Sequence, residues 1–155
     1  MERIQQTIGE VLGEQTWPEL APSATVETAL DSMAREGVDC VLVVDGGPLI
    51  GVFTSRDFLN RVAAEGRLPA EVKLADVMTR EPEALKRHDC VTYAINRMAT
   101  RNIRNLPVVD DEGRPVGLLR VWDIFAHLAD VLDEAAETPS ERGTDAQWID
   151  IGGGG

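Results

Sequence analysis

The chain has 155 residues, 43% hydrophobic and 27% charged, which suits one soluble globular domain or two small halves sharing a core. A formal net charge of −12 argues against nucleic acid as a partner, because phosphate binding depends on clustered Lys and Arg. The longest clean apolar run, Cys40 to Val44, is far short of the roughly 20 residues of a membrane helix. Met1 to Gln6 lacks the basic-then-apolar pattern of a secretion signal, so the expected compartment is the cytosol, with no membrane partner.

In chain order, Ile4, Ile8, Val11 and Leu12 set the rhythm of an amphipathic first helix. Trp17-Pro18 and Pro22 break it. Thr25 caps a helix predicted over Val26 to about Glu36, with Val26, Ala29, Leu30 and Met33 on one face and Gly37 as its stop. Cys40 to Val44 reads as a strand covered on both faces, with Cys40 a buried reduced thiol. Asp45-Gly46-Gly47-Pro48 is turn chemistry, and Leu49 to Phe53 is the next strand. A helix then runs from Ser55 to about Glu65, with Phe58, Leu59 and Val62 inward, closed by Gly66 and Pro69.

The same order then recurs. Val26, Ala29 and Met33 match Val91, Ala94 and Met98, each 65 residues later. Val43-Val44-Asp45 match Val108-Val109-Asp110 at the same offset. The second turn, Asp111 to Arg114, is one residue longer, so beyond it Gly51 matches Gly117 and Asp57 matches Asp123 at an offset of 66. One register with a single insertion in a turn is a tandem repeat. Each unit alone is too small to close a core, so the two should pack face to face. The expected division is a lead-in segment at 1–24, units at 8–69 and 70–133, and an acidic flexible tail at 134–155. From Asp133 onward six acids and one base carry −5 of the total charge. Trp148, Ile149 and Ile151 interrupt that tail, as a loosely docked end or as a short partner-binding segment.

Two strand-to-helix corners carry the chemistry. At Gly51 to Asp57 a hydroxyl, Thr54, and a carboxylate, Asp57, lie three residues apart where a helix opens. Free backbone N–H groups there suit an anion or a sugar. A carboxylate can take both hydroxyls of a ribose. Thr54-x-x-Asp57 is equally a capping box, which would make the pair structural. At the second corner Arg120 stands where Thr54 stood and cannot cap with its side chain in that way. Asp123 persists nevertheless, which favours a ligand role, although it could also serve the helix dipole.

Two tandem units, each ending in apolar-Gly-x-x-[Thr/Ser]-x-x-Asp and an apolar helix, resemble the CBS domain pair, or Bateman module. Asn102 to Asp110 is similar to that family's second-strand signature, and Ala75-Asp76-Val77-Met78-Thr79 to the start of a motif. The resemblance covers roughly Ile8 to Leu132. It departs at Arg120, which replaces the hydroxyl residue. It implies an α/β (α+β) fold of tandem β-α-β-β-α motifs packed about a pseudo-two-fold axis, with two clefts, frequently as a homodimer. It also implies regulatory binding of AMP, ADP, ATP or S-adenosylmethionine, with no catalysis and no required cofactor, and a separate regulated protein as partner.

By the same resemblance the Asp57 cleft draws on Asp89, Ala94, Ile103 and Arg104, and the Asp123 cleft on Ala24, Ala29, Val38 and Asp39. The backbone near Val38 and Ile103 would read an adenine edge, and Ala29 and Ala94 would leave room for the ring or simply pack. Arg56, Arg104 and Arg120 could meet phosphates. Asp39, at the position of Arg104, would repel them, so the clefts should be unequal. The alternative is a ligand-independent dimeric interaction module using Phe58, Leu59, Val62, Ile124, Phe125 and Leu128. An enzyme is disfavoured: no nucleophile elbow, metal-ligand spacing or Gly-rich phosphate loop is present.

Overall fold

The computed structural model describes residues 5–137, so the tail with Trp148, Ile149 and Ile151 lies outside the described residues. Its elements are α1 (Ile8–Val11), β1 (Glu19–Leu20), α2 (Val26–Glu36), β2 (Cys40–Val44), β3 (Leu49–Thr54), α3 (Ser55–Phe58), α4 (Leu74–Val77), β4 (Thr79–Arg80), α5 (Val91–Arg101), β5 (Asn105–Val109), β6 (Pro115–Arg120) and α6 (Val121–Glu137). The two long amphipathic helices arise as the apolar spacing requires. In α2, the Thr25 hydroxyl accepts from Thr28 N–H, and Gly37 closes the helix in the left-handed region at φ 65°. In α5, Asn102 takes the same closing role at φ 52°, which asparagine tolerates better than most residues.

Two elements differ from expectation. The first helix is a single turn, because Leu12 is already extended at ψ 111°. The helix after Thr54 begins as α but continues as a π segment over Leu59–Ala63, which leaves Leu59 60% exposed while Val62 is fully buried. Such segments are rare and frequent near functional sites.

The strands form a four-stranded sheet in the order β1-β2-β3-β4 and a β5-β6 hairpin. The hairpin is extended on one side by a parallel bridge from Leu85 to Val108, the counterpart of the Leu20–Val43 pairing 65 residues earlier. β2 is buried on both faces. Val41 and Val43 join one core with Val26, Ala29, Met33, Phe53 and Val62. Cys40 and Leu42 face the other way and meet Leu118 of β6, with Trp17 and Val52 alongside. That third cluster welds one half to the other. Burial there, with Asp39 and Asp57 adding to it, pushes the Cys40 thiol up to about 12.

The halves also exchange segments. Val72, Leu74, Val77 and Met78 open the second unit yet pack into the first core. Ile8 and Leu12 open the first unit and pack into the second core, with Leu85, Val91, Ala94, Leu106 and Leu119. Matching backbone bonds fix the exchange: Leu74 N–H donates to Ala24 C=O at 2.9 Å, and Ile8 N–H to Asp89 C=O at 2.8 Å. Glycine makes it feasible. A Cβ on Gly51 would stand 2.5 Å from Met78 Sδ, and one on Gly117 would stand 2.8 Å from Leu12 Cδ1.

Candidate functional site

The corner between β3 and α3 borders a cleft of about 390 Å³. The first half contributes Thr54, Arg56 and Asp57, and the second Ile103, Arg104 and Asn105. The segment joining the halves adds Thr79 and Glu83. Asp57 is only 8% exposed. Its Oδ2 accepts from Thr54 N–H at 3.0 Å and from the Thr54 hydroxyl at 3.3 Å. Its Oδ1 accepts from the Thr79 hydroxyl at 3.1 Å, with Arg61 Nη1 at 3.7 Å. The capping box is therefore real, and the carboxylate faces the cleft as well. Two of its three close donors are hydroxyls, which can rotate away for another donor.

Among the described residues no carboxylate pairs with Arg104. Arg56 donates to the Asn102 carbonyl at 3.3 Å. Among the described residues neither guanidinium group is paired with a carboxylate. Glu83 is neutralised by an ion pair with Arg97. Asp39 accepts from Asn105 Nδ2 at 3.0 Å, a strut between the halves.

A second, more open cavity of about 600 Å³ lies on the other side of that strut, bordered by Val38, Arg120 and Trp122. Asp39, Ser55, Arg104 and Asn105 line both hollows. Asp123 does not border this one. Its Oδ2 accepts from Arg120 N–H at 2.7 Å, and Arg120 Nε and Nη2 reach its two oxygens at 3.2 and 3.1 Å. That hydrogen bond holds the Arg120 guanidinium further above its ordinary pKa, against the opposing effect of burial. Asp123 thus has a local reason to persist where Thr54 is lost: it still caps the main chain.

Of the remaining sequence candidates, Ala29 and Ala94 are fully buried in separate cores and border neither cavity. Helix packing accounts for both. Ala24 packs on the first core. The Asp89 carboxylate accepts from Lys86 N–H at 2.7 Å, within its own turn and outside both hollows. Sequence reasoning missed Thr79, Glu83 and Asn105 as lining residues. Thr79 and Asn105 were visible only as parts of motifs. Among the described residues no cluster of His, Cys, Asp and Glu could hold a metal ion, and no helix is long and apolar enough to cross a membrane.

A family model for the CBS domain matches twice, at residues 18–64 and 74–130. The chain belongs to the CBS domain family. The meiotically up-regulated gene 70 protein of Schizosaccharomyces pombe is 38% identical over 117 residues, 76% of this CBS pair and 16% of that protein. The chain spans between 16% and 60% of the length of this and other curated relatives. Among solved structures, the CBS domain protein PAE2072 from Pyrobaculum aerophilum, complexed with AMP, aligns at a TM-score of 0.72 and 23% identity. That alignment covers 84% of this chain and 98% of the other. The CBS domain pair of MJ0100, in complex with 5′-methylthioadenosine and S-adenosyl-L-methionine, aligns at 0.71 and 22% identity, covering 81% and 98%. Likeness at these identities establishes the fold.

Proposed function

We propose that this CBS pair is a regulatory, non-catalytic module that binds an adenosine-containing ligand in the Asp57 cleft and modulates a separate protein. One observation carries the reading. A nearly buried carboxylate, held by rotatable hydroxyls, faces a hollow that both halves build. A ribose diol would replace those hydroxyls on Asp57. The adenine would lie toward Ile103, and a phosphate would lie between Arg56 and Arg104. The AMP and S-adenosylmethionine complexes of proteins with this fold support the ligand class. Two unpaired arginines alongside Asp39 and Asp57 suit one phosphate better than three, which puts AMP ahead of ADP and ATP.

Calorimetric titration with AMP, ADP, ATP and S-adenosylmethionine tests this. AMP should bind, and Asp57→Ala should weaken it roughly 10- to 100-fold, the loss of a hydrogen bond to a charged group at about 1.5–3 kcal/mol. A melting curve without ligand checks that the variant is folded. No heat from any of the four, or unchanged affinity in the variant, ends the proposal.

A second reading, a ligand-independent dimeric module, has one observation in its favour. Trp122, Phe125 and Leu132 of α6 are 73%, 53% and 68% exposed, and the two rings meet edge to face at 5.6 Å. Spacings of three and seven put them on one helix face. Of the residues expected to pair, Val62 and Ile124 are buried within the chain and Leu59 and Phe125 remain exposed. Sedimentation equilibrium should give twice the chain mass, reduced to a single mass by Phe125→Asp. A monomeric wild type removes this reading.

A further inference from the structure

At the second corner the carboxylate that should grip a sugar already has an occupant. Arg120 Nε and Nη2 donate to the two oxygens of Asp123 at 3.2 and 3.1 Å, a two-pronged contact of the kind a ribose diol makes with a carboxylate. Arg120 borders the second hollow and Asp123 does not. Of the bonded pair, the arginine is therefore the member at the hollow. At the first corner the side-chain hydrogen bonds to the carboxylate come from the Thr54 and Thr79 hydroxyls, with Arg61 Nη1 farther off at 3.7 Å and not paired with both oxygens. Hydroxyls and guanidinium alike donate to an ionised acceptor, but the guanidinium adds its own positive charge and a two-pronged fit, so a neutral diol that can displace threonine hydroxyls does not displace this arginine. The rest of the second hollow is suited to a nucleoside. Val38 occupies the position of Ile103, 65 residues earlier, and Arg104 is shared with the first cleft.

We propose that Arg120 is the specificity-determining residue of the second cleft. It acts as a built-in mimic of the sugar diol, and so limits the chain to one nucleotide. This rests on the reading of the Asp57 cleft given above. Removing the guanidinium should open a second site whose sugar grip is Asp123. Arg120→Thr would restore the Thr-x-x-Asp pattern of the first corner.

The test is made where the first cleft has been disabled. AMP is titrated calorimetrically into wild type, Asp57→Ala, Asp57→Ala/Arg120→Thr and Asp57→Ala/Arg120→Ser, with quenching of Trp122 followed in parallel because that ring borders the second hollow. Serine serves as a second version in case threonine disturbs the end of β6. Wild type should bind one AMP per chain, and Asp57→Ala should weaken that site roughly 10- to 100-fold. The double variants should regain one site, at least tenfold tighter than in Asp57→Ala, with Trp122 quenched. Double variants no better than Asp57→Ala overturn the role of Arg120 and leave the Asp57 reading intact, as would two AMP per wild-type chain. A wild type that binds neither AMP nor any of ADP, ATP and S-adenosylmethionine overturns both.

Discussion

Phe53→Ala is expected to lower the free energy of unfolding by about 3–5 kcal/mol, the range for removing a buried aromatic ring. Phe53 is fully buried in the middle of the first core and is among the largest side chains so enclosed. Domains of this size hold only about 5–15 kcal/mol in total, so the loss is a large fraction of the whole. It shares that core with residues from Val26 of α2 to Val62 of the π segment, and with the exchanged segment that carries Leu74 and Val77. They cannot all close on the void. Because each half lends a segment to the other's core, the damage should not stay local. Urea unfolding followed by Trp fluorescence and by far-UV circular dichroism should show one coincident transition, shifted to lower denaturant. A cost below about 1 kcal/mol, or a first half melting ahead of the second, would contradict the interlocked architecture.

Gly51→Val is expected to cost about 1–3 kcal/mol by overpacking and to weaken AMP binding as well. The added Cβ would lie 2.5 Å from Met78 Sδ and 3.1 Å from Thr79 C=O. The thioether can swing aside, but the carbonyl belongs to β4, which pairs with β3 only through Gly51–Arg80 and Val52–Thr79. Pushing β4 away draws the Thr79 hydroxyl off Asp57 and distorts one wall of the cleft. Gly117→Ala is the natural control. Its Cβ would meet Leu12 Cδ1 at 2.8 Å, the far end of a flexible side chain, so its cost should be smaller and the first cleft undisturbed. Thermal melts and AMP titrations of both variants give the comparison. Equal effects of the two would mean that the backbone contact at Thr79 does not matter.

Much of this was legible from local pattern. α2 was readable from Thr25, its apolar face and Gly37, and β2 from an unbroken apolar run between turn signals. The repeat was readable because one insertion in a turn left the register intact on both sides. The Thr54–Asp57 corner was readable because its parts lie three residues apart. Two local readings gave way to tertiary demands. Ile8 and Leu12 do keep a helical rhythm, but the chain must leave helix by Leu12 for that side chain to lie over Gly117. The helix after Thr54 relaxes into a π segment around Arg61, whose Nη1 donates to Val77 C=O at 2.9 Å and Met78 C=O at 2.8 Å.

By itself, then, the sequence determined the doubled α/β unit, its helices and strands, and the first acidic corner, because each depends on residues close in the chain. Tertiary structure alone decided which core each lead-in segment joins, that Thr79 completes the Asp57 site, and that Asp39 is strapped to Asn105. It also decided that Asp57 borders a hollow while Asp123, bonded to Arg120, does not. Those outcomes depend on contacts far apart in the chain, such as Asp39 with Asn105 and Ile8 with Asp89, or on which way a flexible guanidinium turns. Neither leaves a periodic trace along the chain, since a side chain's partner across a fold is set by packing and not by spacing.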